Sequence, residues 1–285
     1  MPADLHPLSH HAAAVASPVT PAAPAPSAPS PPAVPPVLAP RAFVRALRPR
    51  QWTKNLLVLA APAAAGVLTT GAGLRSTAVA FVALTLAAGS TYLLNDLIDL
   101  DADRRHPTKC RRPLAAGQLS PSVALVGVPV LAVAAVLVGA TVSPTLALVA
   151  ACYVGLTVAY TLWLKHEPVL DIAAIAGGFI LRVFAGAVAV DVPVSRWFVI
   201  VASFGSLFVV VGKRRGELRE LGSFEAGEVR ATLRTYSEAY LSSTGAICAG
   251  VAMVAYCLWA FEAPPAQSPW LVGSIVPFVV AVLRY

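Results

Sequence analysis

Eight long apolar stretches leave this chain few ways to fold. They occupy residues 56–74, 77–94, 123–142, 146–164, 169–190, 197–211, 241–261 and 270–283. Several approach the roughly 20 residues that a helix needs to cross a bilayer core; the sixth is short. Lipid offers no hydrogen-bond partner to an exposed backbone, so such stretches are expected as helices. The strict alternation of an outer-membrane barrel strand is missing from them. The expected fold is therefore all-α, a polytopic transmembrane bundle of eight spans.

Charge supports that reading and gives it a direction. Only 12% of residues are charged against 57% apolar, and the net charge is +7. Of the 21 Lys and Arg residues, 18 fall before the first stretch, in alternate loops or after the last stretch, all on one side of the proposed bundle. Arg75 and Arg196 fall on the other side, and Arg182 lies inside a stretch. The positive-inside rule then places the N-terminus in the cytoplasm and the polar chemistry at that face of a plasma membrane. Basic clusters arranged this way report orientation, so no nucleic-acid partner is expected; the partner is the lipid bilayer. Cys110, Cys152, Cys248 and Cys257 have neither disulfide-framework nor zinc-site spacing.

Residues 1–40 hold 12 of the 25 prolines, mixed with Ala and Ser, and are expected to form a disordered tail. Their order of charge and apolarity does not suit a secretory signal. Residues 41–285 are expected as one transmembrane catalytic domain. At its start, RAFVRALRPRQWTK (41–54) has an apolar face of Phe43, Val44 and Leu47, which suits a segment lying on the membrane surface with Trp52 at headgroup depth.

The densest chemistry is NDLIDLDADRRHPTKCRRPLAAG at 95–117. On a continuous helix Asp96, Asp99 and Asp103 fall within about 60° of one another, while Asp101 points away. Three carboxylates on one face repel, each close pair by about 4 kcal/mol at 4 Å in a medium of effective dielectric 20. A divalent cation or proton uptake would relieve this, and an all-oxygen ligand set favours Mg²⁺. The alternative is a solvated acidic loop balanced by the arginines that follow. The acids close a membrane span, however, where ionisable groups are usually functional. EF-hand spacing fails, because the sixth position from Asp99 is Arg104 and the twelfth is Cys110. The glycines of GSLFVVVGKR (205–214) are too far apart for a phosphate loop. Beside the acids stand Arg104, Arg105, Lys109, Arg111 and Arg112. A carboxylate-held cation next to a basic loop suits a magnesium diphosphate, although topology alone also explains basic residues there.

These residues carry a resemblance. NDxxDxxxD (Asn95, Asp96, Asp99, Asp103) followed by RPLAAG at 112–117 resembles the first aspartate motif of the UbiA prenyltransferase superfamily of intramembrane enzymes. RPRQWTKNLLVLAAP (48–62), DRRHPTKCRRP (103–113) and FGSLFVVVGKRRGEL (204–218) resemble its phosphoribosyl-transferring branch, which uses decaprenyl phosphate as acceptor. The resemblance spans about residue 45 to the end of the sequence. It implies about nine helices around a cavity with magnesium at the cytoplasmic mouth, where this sequence has eight apolar stretches. It also implies a second, multi-aspartate motif, reduced here to Asp171.

The expected reaction moves 5-phosphoribosyl from phosphoribosyl diphosphate to a polyprenyl phosphate, such as decaprenyl phosphate, for arabinan precursors of the cell wall. Asp96, Asp99 and Asp103 are the expected catalytic and metal-holding residues, with Asn95 as a further ligand or orienter. Lys54, Asn95, Lys109, Arg111, Arg112, Tyr160, Lys165, Asp171 and Arg182 are the expected substrate-binding set. Asp171 and Arg182 are about 20° apart on a helix, so both could line one cavity wall; a structural ion pair or carbonyl contact is the alternative for Arg182. Lys165 reads equally as a phosphate ligand or a snorkelling anchor. His106 reads as a loop-structuring residue, and Lys213, Arg214, Arg215, Glu217, Arg219 and Glu220 as a solvated loop of mixed charge. Two rivals remain: a prenyltransferase using a prenyl diphosphate and an aromatic acceptor, and a cation-coupled transporter. A homo-oligomer is compatible with either enzyme reading.

Overall fold

The computed structural model describes residues 40–229, 231–262 and 268–285. The expected tail at 1–40 lies outside them except for Pro40. The chain opens with α1 (Pro40–Ala46), a 3-10 segment (Pro49–Leu59) and α2 (Ala60–Ala64). The long α3 (Gly71–Ile98) and short α4 (Leu100–Arg105) follow, then α5 (Pro121–Ala140), α6 (Pro144–Leu162), α7 (Leu170–Ala189), α8 (Arg196–Val229), α9 (Glu238–Phe261), α10 (Ser268–Gly273) and α11 (Ile275–Arg284). Successive long helices pack side by side from α3 through α5, α6, α7 and α8 to α9, and the 3-10 segment lies against α7 and α3.

Six of these helices, α3 and α5 to α9, are long and apolar enough to cross a membrane. The other two expected spans are interrupted. Residues 56–74 do not form one helix: α2 ends at a left-handed Gly66, and α3 starts anew at Gly71 behind the Thr70 hydroxyl, which accepts the Gly73 N–H. The stretch 270–283 breaks at Ser274, between α10 and α11. The sixth stretch, short by sequence, is the apolar half of α8, which continues as a helix through the charged residues beyond it.

Burial follows helix position. α3 and α7 are the most enclosed, and α3 does it with small residues: Ala80, Ala83, Ala87 and Ala88 let its neighbours approach closely. Leu125, Val126, Leu137, Leu148, Ile247 and Val254 are exposed, the apolar outer surface expected where lipid is the solvent. In the first segment Asn55, Val58 and Ala61 are buried at a spacing of three, the period of a 3-10 helix, whose side chains eclipse every third residue. Its contact with α7 is backbone-close: a Cβ on Gly186 would overlap the Val58 carbonyl.

α1 buries one face, with Ala42 and Ala46 enclosed and Arg41, Val44 and Arg45 exposed. Phe43 and Leu47 pack on a cluster that includes Leu93, Leu114 and Leu131, and the Trp52 indole donates to the Leu47 carbonyl at 3.0 Å.

Candidate active site

At the end of α3 the chain turns its acids inward. Asp96 and Asp103 are buried at 2% exposure each, while the Asp101 side chain is 85% exposed. The helix is interrupted at Asp99 (φ −90°, ψ 7°), between α3 and α4. This break is why the continuous-helix geometry of the three acids does not hold. Asp96 and Asp103 meet at one guanidinium: Arg112 Nη1 lies 3.2 Å from Asp96 Oδ1 and 2.5 Å from Asp103 Oδ2. Asp99 instead faces Lys165 from the turn after α6, with Nζ 3.6 Å from its carboxylate. Among the described residues no group of three or more His, Cys, Asp or Glu side chains converges as metal ligands.

A second arginine, unmarked in the sequence reading, completes the cluster. Arg48 pairs with Asp96 Oδ1 and lies over the Tyr92 ring, 4.9 Å from its centroid. Its backbone is left-handed (φ 54°) immediately before Pro49, a conformation that costs a non-glycine residue on the order of 1 kcal/mol and that the ion pair helps to hold. RPRQ in the sequence was the available signal; its pairing with an acid 48 residues away was not. The other oxygen of Asp96, Oδ2, is buried with no hydrogen-bond partner. That orphaned atom and Asp103 provide hard oxygen donors from two carboxylates. Mg²⁺ commonly takes no more than this from a protein, filling its shell with water and phosphate, so these residues fit such an ion.

The remaining expected residues sit around this cluster. Asn95 is half-buried one position before Asp96. Lys109 and Arg111 lie on the short 3-10 turn Lys109–Arg111, the first half-buried and the second exposed. That turn is shaped by His106, whose Nδ1 accepts the backbone N–H of Thr108 at 3.2 Å and of Lys109 at 3.4 Å. Tyr160 is half-buried in the last turn of α6. Lys54 projects from the 3-10 segment ahead of the first apolar stretch. Partial withdrawal from water, then the positive charges of Lys213, Arg182 and Arg48, hold its pKa below the ordinary lysine value.

Asp171 and Arg182 share α7 but have different hydrogen-bond partners. Arg182 is 6% exposed and is held by neutral groups: Nε donates to Asn55 Oδ1 at 2.8 Å, Nη1 to the Gly178 carbonyl at 2.8 Å and Nη2 to the Tyr153 hydroxyl at 2.6 Å. Asp171 is fully buried near the other end of the helix. It accepts from the Tyr236 hydroxyl at 2.6 Å and from Arg214 Nε at 3.2 Å, with the Thr232 hydroxyl at 3.5 Å. Arg214 also donates to Glu217 at 2.8 Å. The reading of Arg214 as part of a solvated loop is corrected: α8 carries it inward to full burial, where it meets the one acid at the start of α7. Tyr236 also accepts the Val169 N–H at 2.6 Å, steadying a left-handed Val169 (φ 68°) ahead of α7. Burial, then the bond to Asp171, pushes the Tyr236 phenol well above its ordinary pKa, so it stays a donor.

Between the 3-10 segment, α7 and α8 runs an apolar groove of about 370 Å³ lined by residues including Leu57, Phe179, Val183, Val201 and Val209. Phe179 borders both groove and guanidinium, its ring centroid 5.6 Å from Arg182. A further cavity of about 300 Å³, near Ala61, Val192 and Glu262, lies at the opposite helix ends from the acids.

The profile of the UbiA prenyltransferase family matches residues 56–285. The chain is 41% identical over 259 residues to the decaprenyl-phosphate phosphoribosyltransferase of Mycolicibacterium smegmatis, covering 85% of this chain and 80% of that protein. Identity to the Mycobacterium tuberculosis protein of the same name is 40% over 250 residues, covering 85% and 81%. Among solved structures, a UbiA homolog from Archaeoglobus fulgidus bound to DMAPP and Mg²⁺ superposes with a TM-score of 0.69 at 17% identity, covering 85% of this chain and 87% of that one, a likeness of fold. The chain is a multi-pass membrane protein and belongs to the UbiA prenyltransferase family.

Proposed function

We propose that this protein transfers 5-phosphoribosyl from phosphoribosyl diphosphate to a polyprenyl phosphate, decaprenyl phosphate or a close analogue, releasing diphosphate at the cytoplasmic face of the plasma membrane. The observation that carries this reading is the identity of 41% and 40% to the two mycobacterial phosphoribosyltransferases over 85% of this chain. The product would supply arabinan assembly in the cell wall.

The acceptor's phosphate oxygen attacks the anomeric carbon of the ribose as the bond from that carbon to the diphosphate oxygen breaks. The acceptor is already an anion, so no general base is required, and His106 is free to shape its loop. Asp96 and Asp103, with Asp99 and Asn95 beside them, would hold Mg²⁺, which when bound neutralises charge on the leaving diphosphate. Lys54, Lys109, Arg111, Arg112 and Lys165 are the cations for the donor's phosphates, with Tyr160 as a hydrogen-bonding neighbour. Their contribution is orientation and electrostatic stabilisation. The groove beside Leu57 and Phe179 suits the isoprenoid tail, which needs apolar walls and no polar partner.

Asp171 in this reading anchors helices. Its enclosure by Arg214 and Tyr236 favours a single metal-binding end over the paired aspartate motifs that a prenyl diphosphate donor would call on. The acids lie at one end of the bundle instead of at its midplane, which counts against a transporter.

The test is direct. Purified protein is supplied with labelled phosphoribosyl diphosphate, decaprenyl phosphate and Mg²⁺, and label is expected in the lipid fraction. Absence of lipid-linked label, or undiminished labelling by Asp96→Asn, overturns the assignment; labelling only with a prenyl diphosphate donor favours the other branch.

A further inference from the structure

Three acids and three cations pair with one another where α3 ends, and each cation arrives from a different element. Arg48 comes from the junction between α1 and the 3-10 segment, Arg112 from the loop after α4, and Lys165 from the turn after α6. Asp96 and Asp103 are too enclosed to stand as unpaired carboxylates, so something positive must accompany them. A divalent ion held by these carboxylates would sit against the two guanidiniums already paired with them, and that like charge opposes it. At Asp96 two arginines crowd Oδ1, while Oδ2 is buried and unpartnered, an oxygen open to an ion that would lie beside both positive charges.

We infer that Arg48 and Arg112 are exchangeable counterions that compete with the metal until the donor arrives. This rests on the reading above that Asp96 and Asp103 hold a divalent cation. The same guanidiniums that neutralise the acids are suited to phosphate oxygens, which they bind in a planar, two-pronged fashion. A magnesium diphosphate brings both missing partners: the ion takes the carboxylates and the diphosphate takes the arginines. Every charge is paired before and after, so neither the metal nor the diphosphate need leave a buried charge exposed. Metal alone would sit against the guanidiniums, and diphosphate alone against the carboxylates. The device therefore couples metal binding to donor binding and disfavours a metal-loaded site without donor.

The experiment follows Mn²⁺ binding to the full-length protein in detergent by electron paramagnetic resonance, with and without inorganic diphosphate, corrected for the Mn²⁺–diphosphate complex in solution. Wild type is expected to bind Mn²⁺ about tenfold or more tightly when diphosphate is present. Arg112→Gln and Arg48→Gln are each expected to bind Mn²⁺ alone about tenfold more tightly than wild type and to lose most of the enhancement. Arg105→Gln removes the same charge from an exposed neighbour, whose Nε donates to the Asp101 carbonyl at 3.1 Å, and is expected to leave binding of Mn²⁺ alone within about twofold. Unchanged or weaker Mn²⁺ binding in both Arg48→Gln and Arg112→Gln, with thermal unfolding confirming that they fold, overturns the exchange while leaving the metal site standing. An equal effect of Arg105→Gln overturns it too, assigning the gain to general electrostatics. No Mn²⁺ binding by wild type, even with diphosphate, overturns both this inference and the metal-site reading.

Discussion

Tyr236 donates its hydroxyl to Asp171 at 2.6 Å, across 65 residues of sequence, and the same oxygen accepts the Val169 N–H. The bond ties the segment ahead of α9 to the start of α7 at a point where Val169 is left-handed. Tyr236→Phe is expected to lower stability by about 1.5–3 kcal/mol, the range for a hydrogen bond to a charged group, seen as a lower unfolding temperature in detergent. The apparent KM for phosphoribosyl diphosphate should stay within about twofold, since the contact lies outside the proposed donor site.

Removing the acid itself should be worse. Asp171→Ala leaves Arg214 fully buried with Glu217 as its remaining acidic contact, and breaking a buried ion pair from one side costs about 3–5 kcal/mol. Low yield of folded protein is the expected outcome. Recovery of much of that loss by the double substitution Asp171→Asn with Arg214→Met would show that the pair stabilises by mutual compensation.

The acids of the first motif separate by exposure. Asp96→Asn and Asp103→Asn are each expected to lower transfer by about a hundredfold or more, as losses of transition-state charge stabilisation do. Asp101→Asn should change it by less than about twofold, because that side chain is exposed and pairs only with Arg104 at 3.2 Å. Comparable losses at all three positions would contradict the assignment.

Lys54 supplies a pH test. Its pKa is lowered, so it loses its charge at a lower pH than a free lysine does, and the charged form is the one that attracts phosphate. Donor affinity in wild type is therefore expected to fall on the alkaline side before ordinary lysine titration. Lys54→Arg, which stays charged, should move that fall to higher pH. Coincident pH profiles for the two proteins would remove Lys54 from the donor site.

Arg182 is held by Asn55, Tyr153 and the Gly178 carbonyl, so Asn55→Ala should destabilise it. A double-mutant cycle between Asn55→Ala and Arg182→Gln is expected to give a coupling of about 1–3 kcal/mol, measured by chemical denaturation in micelles. Additivity would place the two residues in separate environments.

Helical class, membrane residence and the acid-base motif were legible in the residues alone. Apolar stretches of membrane length have one way to satisfy their backbones in lipid, and the motif is local, with Asp96 to Arg112 lying within 17 consecutive residues. The sequence also marked His106 as a residue that shapes its loop, and its ring accepts two backbone N–H groups there. What periodicity could not convey was where helices break and which distant charges meet. A small departure at Asp99 sends that acid to Lys165 and leaves Asp96 and Asp103 to Arg112. Arg48 reaches Asp96 across 48 residues, and Arg214 reaches Asp171 across 43. Such pairings depend on how helices cross and how deeply they bury their ends. The strength of a charge pair is set by separation in space and by the surrounding dielectric, neither of which is written in the order of the residues.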